Sequence, residues 1–484
     1  MELLITLSFI FYFTEAFQLF SVGGYGFTYL DATTLLLIIV AMKRVFWDGE
    51  ELKFSWNGAL TAMVFIFVAV MFSGLHPILK GEIPLMYQFV KSTPHLFFTA
   101  CFAVVLVFFP QRPELWERII KIWLILAIII NIFGVYQIFA RAFDLPLAWI
   151  DYNNVSFATR GSLESMDDYR QLSIHFGDFY RATSIFSEPS ALAGFNLFIL
   201  TFMVVPYVQR RAQFFKSRML NLIIFISTLI GTFLTFSMTA FVGIGMIALT
   251  IIIVEKYKPV KAFFKILAAG AILIIAADTI VVAYLGTSVL ELFGRRVVGI
   301  ISRDSIKAKH TPGESFEGRL DNVFQSFEIW EEHPVTGIGL GNTFYNESTD
   351  IMFSNYTPLA LLAETGVIGF MACNFLFLYL FIITYKYIKY PDKYQSLPPP
   401  QQRVNGLLFY IMLQLFLTNY ISGNNLGQPW LWLPLGLIFS SIAATEFKTN
   451  DSKIYKIRFV KVPIKDIISL YLQNNQKRRS DSNV

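Results

Sequence analysis

Two segments of the chain gather the residue types that handle anionic ligands and proton transfer. In DFYRATSIFSEPSALAGF (178–195), Arg181 stands seven residues before Glu188. Pro189 opens an apolar helix there, so Ser187 and Glu188 occupy N-cap positions. A carboxylate at that point is favoured by the helix dipole, which leaves Glu188 open to a capping role as well as a proton-accepting one. In SFEGRLDNVFQSFEIWEEHPVTGIGLGN (315–342), Phe316, Leu320, Val323, Phe324, Phe327 and Trp330 recur at helical spacing and predict an amphipathic helix lying on something apolar. Arg319 sits beside that stripe. An arginine at a buried edge needs an anion, either a carboxylate in a structural ion pair or a phosphate.

Pro334 ends that helix, and Gly337, Gly339 and Gly341 follow as a pliable turn of the kind that forms anion-binding nests. Upstream, Arg295, Arg296 and Arg303 lie with Lys307 and Lys309; the cluster suits an anionic ligand or a solvated face equally. SNYTPLALLAETGVIGF (354–370) places Glu364 two turns into an apolar segment, where an ionisable residue is costly and reads as functional. Gly366 and Gly369 allow close helix approach beside it. Glu15 and Asp278 are weaker cases of the same kind. Tyr180 and Tyr356 flank these motifs and join Arg295, Arg296 and Arg303 as candidate substrate contacts.

The elements that must hold these residues follow from composition. Of 484 residues, 55% are hydrophobic and 15% charged, which excludes a soluble enzyme, a disordered chain and a nucleic-acid binder. Apolar runs are continuous and close to the length of a bilayer-spanning helix, unlike the alternating strands of a membrane barrel. Twelve such runs stand at about 3–20, 29–42, 57–74, 94–110, 119–142, 189–207, 219–236, 240–254, 263–285, 357–384, 404–422 and 429–445. In lipid each must satisfy its own backbone, so each is predicted to be helical. Cys101 and Cys373 fall inside apolar runs and make neither a disulfide framework nor a metal site.

Lys and Arg set the orientation. With both ends of the chain on the inner side, 27 of the 39 basic residues lie inside, and every short inner loop is basic. The short outer loops 21–28, 237–239 and 423–428 carry none. Two outer loops are long, about 143–188 and 286–356, and hold the motifs above. The stretch 76–92 mixes apolar and charged residues and is expected to lie flat on the membrane. The division expected is one polytopic domain over 1–445 and a basic tail over 446–484. In the tail, KIYKIRFVKVPIKDIISLYL (453–472) interleaves apolar and basic residues, as an interfacial helix or strand on an anionic leaflet would.

The segments 178–195 and 315–370, with the span layout, resemble the O-antigen ligase and polymerase superfamily of bacterial cell envelopes. RATSIFSEPSALAGF is similar to the first-loop pattern of that family. The Arg319 helix with its Pro and Gly-x-Gly is similar to the second, and YTPLALLAETGVIGF to the segment that closes it. The resemblance implies an all-α polytopic membrane protein of about 12 transmembrane helices in a GT-C-like layout, with two long periplasmic loops containing amphipathic helices. It implies a multi-pass protein of the bacterial inner membrane, both termini cytoplasmic, working at the periplasmic face. The implied substrates are undecaprenyl-pyrophosphate-linked glycans, donor and acceptor, with no cofactor, metal or nucleic acid. Membrane lipids surround the site, and a chain-length regulator and a flippase of the same pathway are further partners. Arg181 and Arg319 match the motif arginines and would hold the leaving pyrophosphate, and Glu188 or Glu364 would take the acceptor proton.

The ligases carry a His just before the last motif, whereas MFSNYTPL (352–359) has none. That favours a Wzy-type polymerase over an O-antigen ligase transferring glycan to lipid A core or protein. A lipid-linked oligosaccharide flippase would place charges within several spans, whereas here the basic residues avoid span centres. The charge partition is testable. In a background lacking both native cysteines, a cysteine at position 345 should react with an impermeant maleimide in intact spheroplasts, and one at position 480 should not. The opposite pattern removes the assignment.

Overall fold

A computed structural model describes residues 1–14, 16–22, 25–154, 171, 175–176, 179–255, 316–344, 358–421, 426–449 and 454–457, with isolated positions between 268 and 294. Its helices are α1 (Glu2–Phe11), α2 (Tyr29–Met42), α3 (Gly58–Ser73), α4 (Leu75–Lys80), α5 (Ile83–Phe108), α6 (Pro113–Ala142) and α7 (Pro189–Val208). They continue as α8 (Arg218–Leu234), α9 (Met238–Val254), α10 (Phe316–Glu332), α11 (Pro358–Lys389), α12 (Pro399–Ile421) and α13 (Pro429–Thr449). Three two-stranded antiparallel sheets pair β1 (Gln18–Val22) with β2 (Tyr25–Thr28), β3 (Leu52–Ser55) with β6 (Ile454–Ile457), and β4 (His175–Phe176) with β5 (Phe179–Tyr180). Among the described residues six segments are long and apolar enough to cross a bilayer: 58–80, α5, α6, α7, most of α11, and α13. The protein is an integral, all-α polytopic membrane protein. Eleven of the twelve expected apolar segments contain helix, and in the twelfth, 263–285, the eight described positions are helical as well.

Local chemistry starts the helices. Thr28 and Asp31 form a capping box on α2, and the Asn57 side chain accepts from the amides of Ala59 and Leu60 to cap α3. Proline opens α6, α7 and α13. Helix α7 is the hub, with 89% of its most apolar stretch buried, and it packs on α8, α9 and α12. Without a hydrophobic drive between helices in lipid, small residues and amide pairs hold the bundle. Asn131 of α6 and Asn196 of α7 exchange hydrogen bonds of 3.0 and 2.8 Å. Gly231 of α8 leaves room for that pair.

Side-chain contacts sort the helix ends into two groups. At one end the Gln111 amide donates to Ser440 Oγ at 2.8 Å, Arg403 pairs with Glu117 at 2.6 Å, and β3 lies against β6. At the other, the Gln18 amide donates to Asn153 Oδ1 at 2.8 Å, and the His76 and His333 rings stand 4.1 Å apart. The inner and outer loops expected from the charge partition fall in these two groups without exception among the contacts just named.

Two expectations are corrected. The first apolar run does not stay helical to residue 20: α1 ends at Phe11, and Gln18–Val22 is a strand against Tyr25–Thr28. Aromatic and β-branched residues there favour a pleated pair. The stretch 83–92 does not form a separate surface element, because α5 runs unbroken from Ile83 through Pro94. Among the described side chains of α10, Ser326 and Ile329 are buried, Ile329 against Ile338 and Ala363, while Phe324 is 62% exposed. Phe327 is also exposed, so these two aromatic positions of the stripe lie on the side of α10 away from that contact. Glu15 lies outside the described residues. Asp278 accepts from Ser288 Oγ at 2.8 Å and the Leu290 amide at 3.1 Å, a turn-capping role.

A Cβ at Gly231 would stand 1.8 Å from Asn131 Oδ1, whereas at Gly245 nothing lies within 4 Å. Gly231→Val should therefore lose about 1–3 kcal/mol through overpacking, and Gly245→Val far less. Equal thermal midpoints for the two variants in detergent would reject the amide pair as a constraint.

Candidate functional site

The first motif forms a strap, residues 181–186, tied across the ends of α6 and α8. Arg141, the last basic residue of α6, is buried and donates to neutral acceptors. Its Nε reaches the Ala148 carbonyl at 3.0 Å, Nη1 the carbonyl of Arg181 at 2.6 Å, and Nη2 Thr183 Oγ1 at 2.7 Å and Gln171 Oε1. It also stacks 5.1 Å from the Trp149 ring. The strap's own side chains continue the tie. Thr183 Oγ1 donates to Gln137 Oε1 at 3.1 Å, and Ser184 Oγ donates to the Ile130 carbonyl at 2.7 Å. Arg181 is 7% exposed, and its Nε donates to the Thr235 carbonyl at 2.8 Å. It thereby meets the carbonyl-rich end of α8, where a cation is favoured.

Glu188 is the N-cap residue of α7, in extended backbone geometry. Its side chain does not cap the helix; Oε1 accepts from the Ser190 hydroxyl. The Tyr152 hydroxyl donates to the Phe186 carbonyl at 2.6 Å. Burial pushes the Tyr152 phenol well up, Gln171 and Arg141 pull it down, and the charge of Glu188 adds a smaller push. Tyr180 packs against Trp149 with ring centroids 6.2 Å apart. Tyr180, Arg181 and Glu188 thus belong to one cluster, with Arg141, Trp149 and Tyr152 beneath them.

The second motif closes on α11. Gly366 has φ 65° and ψ −171°, so the helix loses a rung there. The turn after α10 supplies what is missing: the Ile338 amide donates to the Ala363 carbonyl at 3.0 Å and the Gly339 amide to the Glu364 carbonyl at 2.9 Å. In return the Val367 amide donates to the Pro334 carbonyl at 2.9 Å. Gly337, at φ 67°, must be glycine on two counts, since a Cβ would also stand 2.4 Å from the Glu364 carbonyl oxygen. Gly366 was expected to admit a neighbouring helix; it admits the backbone of this turn instead, with Val335 O 2.1 Å from where its Cβ would be. The Glu364 side chain is fully buried under the turn and accepts from Thr343 Oγ1 at 2.6 Å. Gly341 rests on Ser92 of α5 and Gly339 on Pro77 of α4.

Arg319 lies on α10, but its side chain is outside the described residues, as are Arg295, Arg296, Arg303 and Tyr356. The structure groups Tyr180, Arg181 and Glu188 in one cluster and buries Glu364 in another at the same end. Sequence reading missed two features here. Arg141 was not singled out, although its place at the end of a long apolar run was a signal. A chain of Asp31, Tyr25 and His95 was also missed: the Tyr25 hydroxyl lies 3.1 Å from Asp31 Oδ2 and 2.7 Å from His95 Nε2. The Thr28–Asp31 capping spacing was legible, but no local pattern announces its partner on α5.

Residues 222–374 match the family model described as O-antigen ligase. No curated protein matches the chain. The matched part runs from α8 into α11, so it takes in Arg319, the glycine turn and Glu364, and stops short of 178–195. It supports the O-antigen ligase/polymerase superfamily.

Removing the Arg141 guanidinium should loosen the strap. Arg141→Met strands several buried acceptors, at about 1–3 kcal/mol each, and should speed limited proteolysis between 143 and 188. Cleavage at the parental rate would show that the strap holds without it.

Proposed function

We propose that the protein is a polymerase that joins undecaprenyl-pyrophosphate-linked oligosaccharide repeat units into O-antigen or exopolysaccharide at the periplasmic face of the inner membrane. The observation that carries this reading is the glycine turn seated on the interrupted α11 above Glu364, inside the part of the chain that matches the family. The polymerase is preferred to the ligase because 352–359 lacks the ligase histidine. A ligase is the second reading, favoured by the family's own description. A flippase and a chain-length regulator would supply the substrate and limit the product.

In the proposed reaction an acceptor sugar hydroxyl attacks the anomeric carbon of the donor. The bond from that carbon to the pyrophosphate oxygen breaks, lipid pyrophosphate leaves, and the hydroxyl proton passes to a base. Arg181 and Arg319 are assigned to the developing charge on the leaving group, because paired charge-assisted hydrogen bonds are strongest where charge grows. The Arg181 guanidinium also grips the α8 terminus, so its removal would disturb position as well as charge. Arg295, Arg296, Arg303, Tyr180 and Tyr356 are assigned to substrate contacts. Glu188 is assigned as base, since its carboxylate is half-buried at a helix start and accepts from the Ser190 hydroxyl. Glu364 is the alternative; its full burial and its bond to Thr343 suit a structural carboxylate better.

Glycan from a deletion strain separates the two readings: single repeats indicate a polymerase, and full-length chains left unattached indicate a ligase. Within the polymerase reading, Arg181→Ala and Arg319→Ala should abolish chain growth and the Lys variants restore part of it, because Lys keeps the charge without the planar fork. Glu188→Gln should slow turnover by roughly 10²–10⁴, the usual contribution of general-base catalysis, and Glu364→Gln should be mild. Chain growth at the parental rate in Arg319→Ala, or in Glu188→Gln, measured in membranes at equal expression, removes that residue from its role.

A further inference from the structure

At the end of the bundle away from the glycine turn, β3 and β6 form a two-stranded sheet whose register sets Lys53 directly opposite Lys456. Directly opposed residues share one face, and like charges there are destabilising. Both lysines are exposed, and among the described residues neither has an ion-pair partner. Lys53 also lines a cleft of about 860 Å³ where the start of α1, the loop after α2 and the α5–α6 connection meet. That volume is within the roughly 300–1,000 Å³ of small-molecule sites. Arg112, the N-cap residue of α6, lines the same cleft, is exposed, and has no ion pair among the described residues.

The cleft's other charges narrow the ligand. Arg44 is committed, with Glu50 at 2.6 Å and the Phe109 ring 4.9 Å below it. Glu2 and Glu51 stand on the lining with no ion pair among the described residues. Lys53 and Arg112 on the lining, with Lys456 beside Lys53 across the sheet, thus meet two carboxylates, and one further negative charge balances the three cations. Phe108, Phe109 and Phe447 give the cleft an apolar side that inorganic phosphate would not use. Phe46, Trp47 and Trp56 of the same connection are exposed at 52%, 61% and 53%, and tryptophans beside basic residues mark headgroup depth.

We propose that this cleft binds the headgroup of a singly anionic phospholipid, its phosphodiester set against Lys53, Lys456 and Arg112. The lipid would also relieve the opposed lysines and so pin β6, the start of the basic tail, to β3. This site is independent of the glycan-transfer reading.

The test is native mass spectrometry of the full chain in detergent, titrated with phosphatidylglycerol, phosphatidylcholine or inorganic phosphate. The native protein should retain one phosphatidylglycerol in preference to phosphatidylcholine, and no phosphate. Lys456→Glu is the informative variant, because it turns the opposed pair into an attractive one and so preserves the sheet. It should weaken phosphatidylglycerol retention by roughly thirtyfold, as expected for reversing one charge at about 1 kcal/mol per surface charge. Lys43→Glu, at the same end but outside the cleft lining, should leave retention unchanged. Equal retention of the two lipids, undiminished retention in Lys456→Glu, or retention of phosphate in place of lipid would each overturn the proposal.

Discussion

A backbone carbonyl inside a membrane protein must find a donor, because hydrocarbon offers none. Much of one end of this protein is organised around one place where a helix withholds that donor. At Gly366, α11 turns out of helical geometry, and the segment from Pro334 to Gly339 moves in to exchange the missing hydrogen bonds. That exchange requires glycine at 337, brings Thr343 to Glu364, and lays the turn on α4 and α5. A broken rung in a buried helix thus becomes the fastening point for the end of the amphipathic α10.

The strap at 181–186 solves a related problem with cations. Two arginines are buried at the bundle's end, and the neighbours found for them are mainly carbonyl, amide and hydroxyl oxygens. Arg141 holds the main chain of Arg181, and the Arg181 side chain holds the terminus of α8. The two ties in series couple α6 and α8 to the start of α7, where Glu188 stands. Such a cluster places a carboxylate with little freedom, as proton transfer requires. The same rigidity would serve a structural carboxylate equally, which is why substitution at Glu188 discriminates and geometry alone does not.

Between the two ends, the bundle relies on contact rather than on charge. The Asn131–Asn196 pair and the close approach at Gly231 join α6, α7 and α8 near the middle of the fold. Apolar side chains such as Val68, at 58% exposure, and Ile129, at 61%, remain on the outside. In water they would be a liability, whereas in lipid they are the solvent-facing surface.

The sequence by itself determined the class of fold, most of the helices and their sorting into two ends. Those properties depend on run length and on where Lys and Arg fall, and both are local sums. It also marked Glu188 as the start of α7 and Glu364 as an ionisable residue within a span. Only the tertiary structure decided that Gly366 interrupts α11, that Arg141 supports Arg181, and that Tyr25 joins Asp31 to His95. For the same reason periodicity identified an apolar stripe on α10 without saying whether protein or lipid covers it. Each of these depends on a partner far away in the chain, and no spacing rule carries that information because distance along the sequence does not set distance in space.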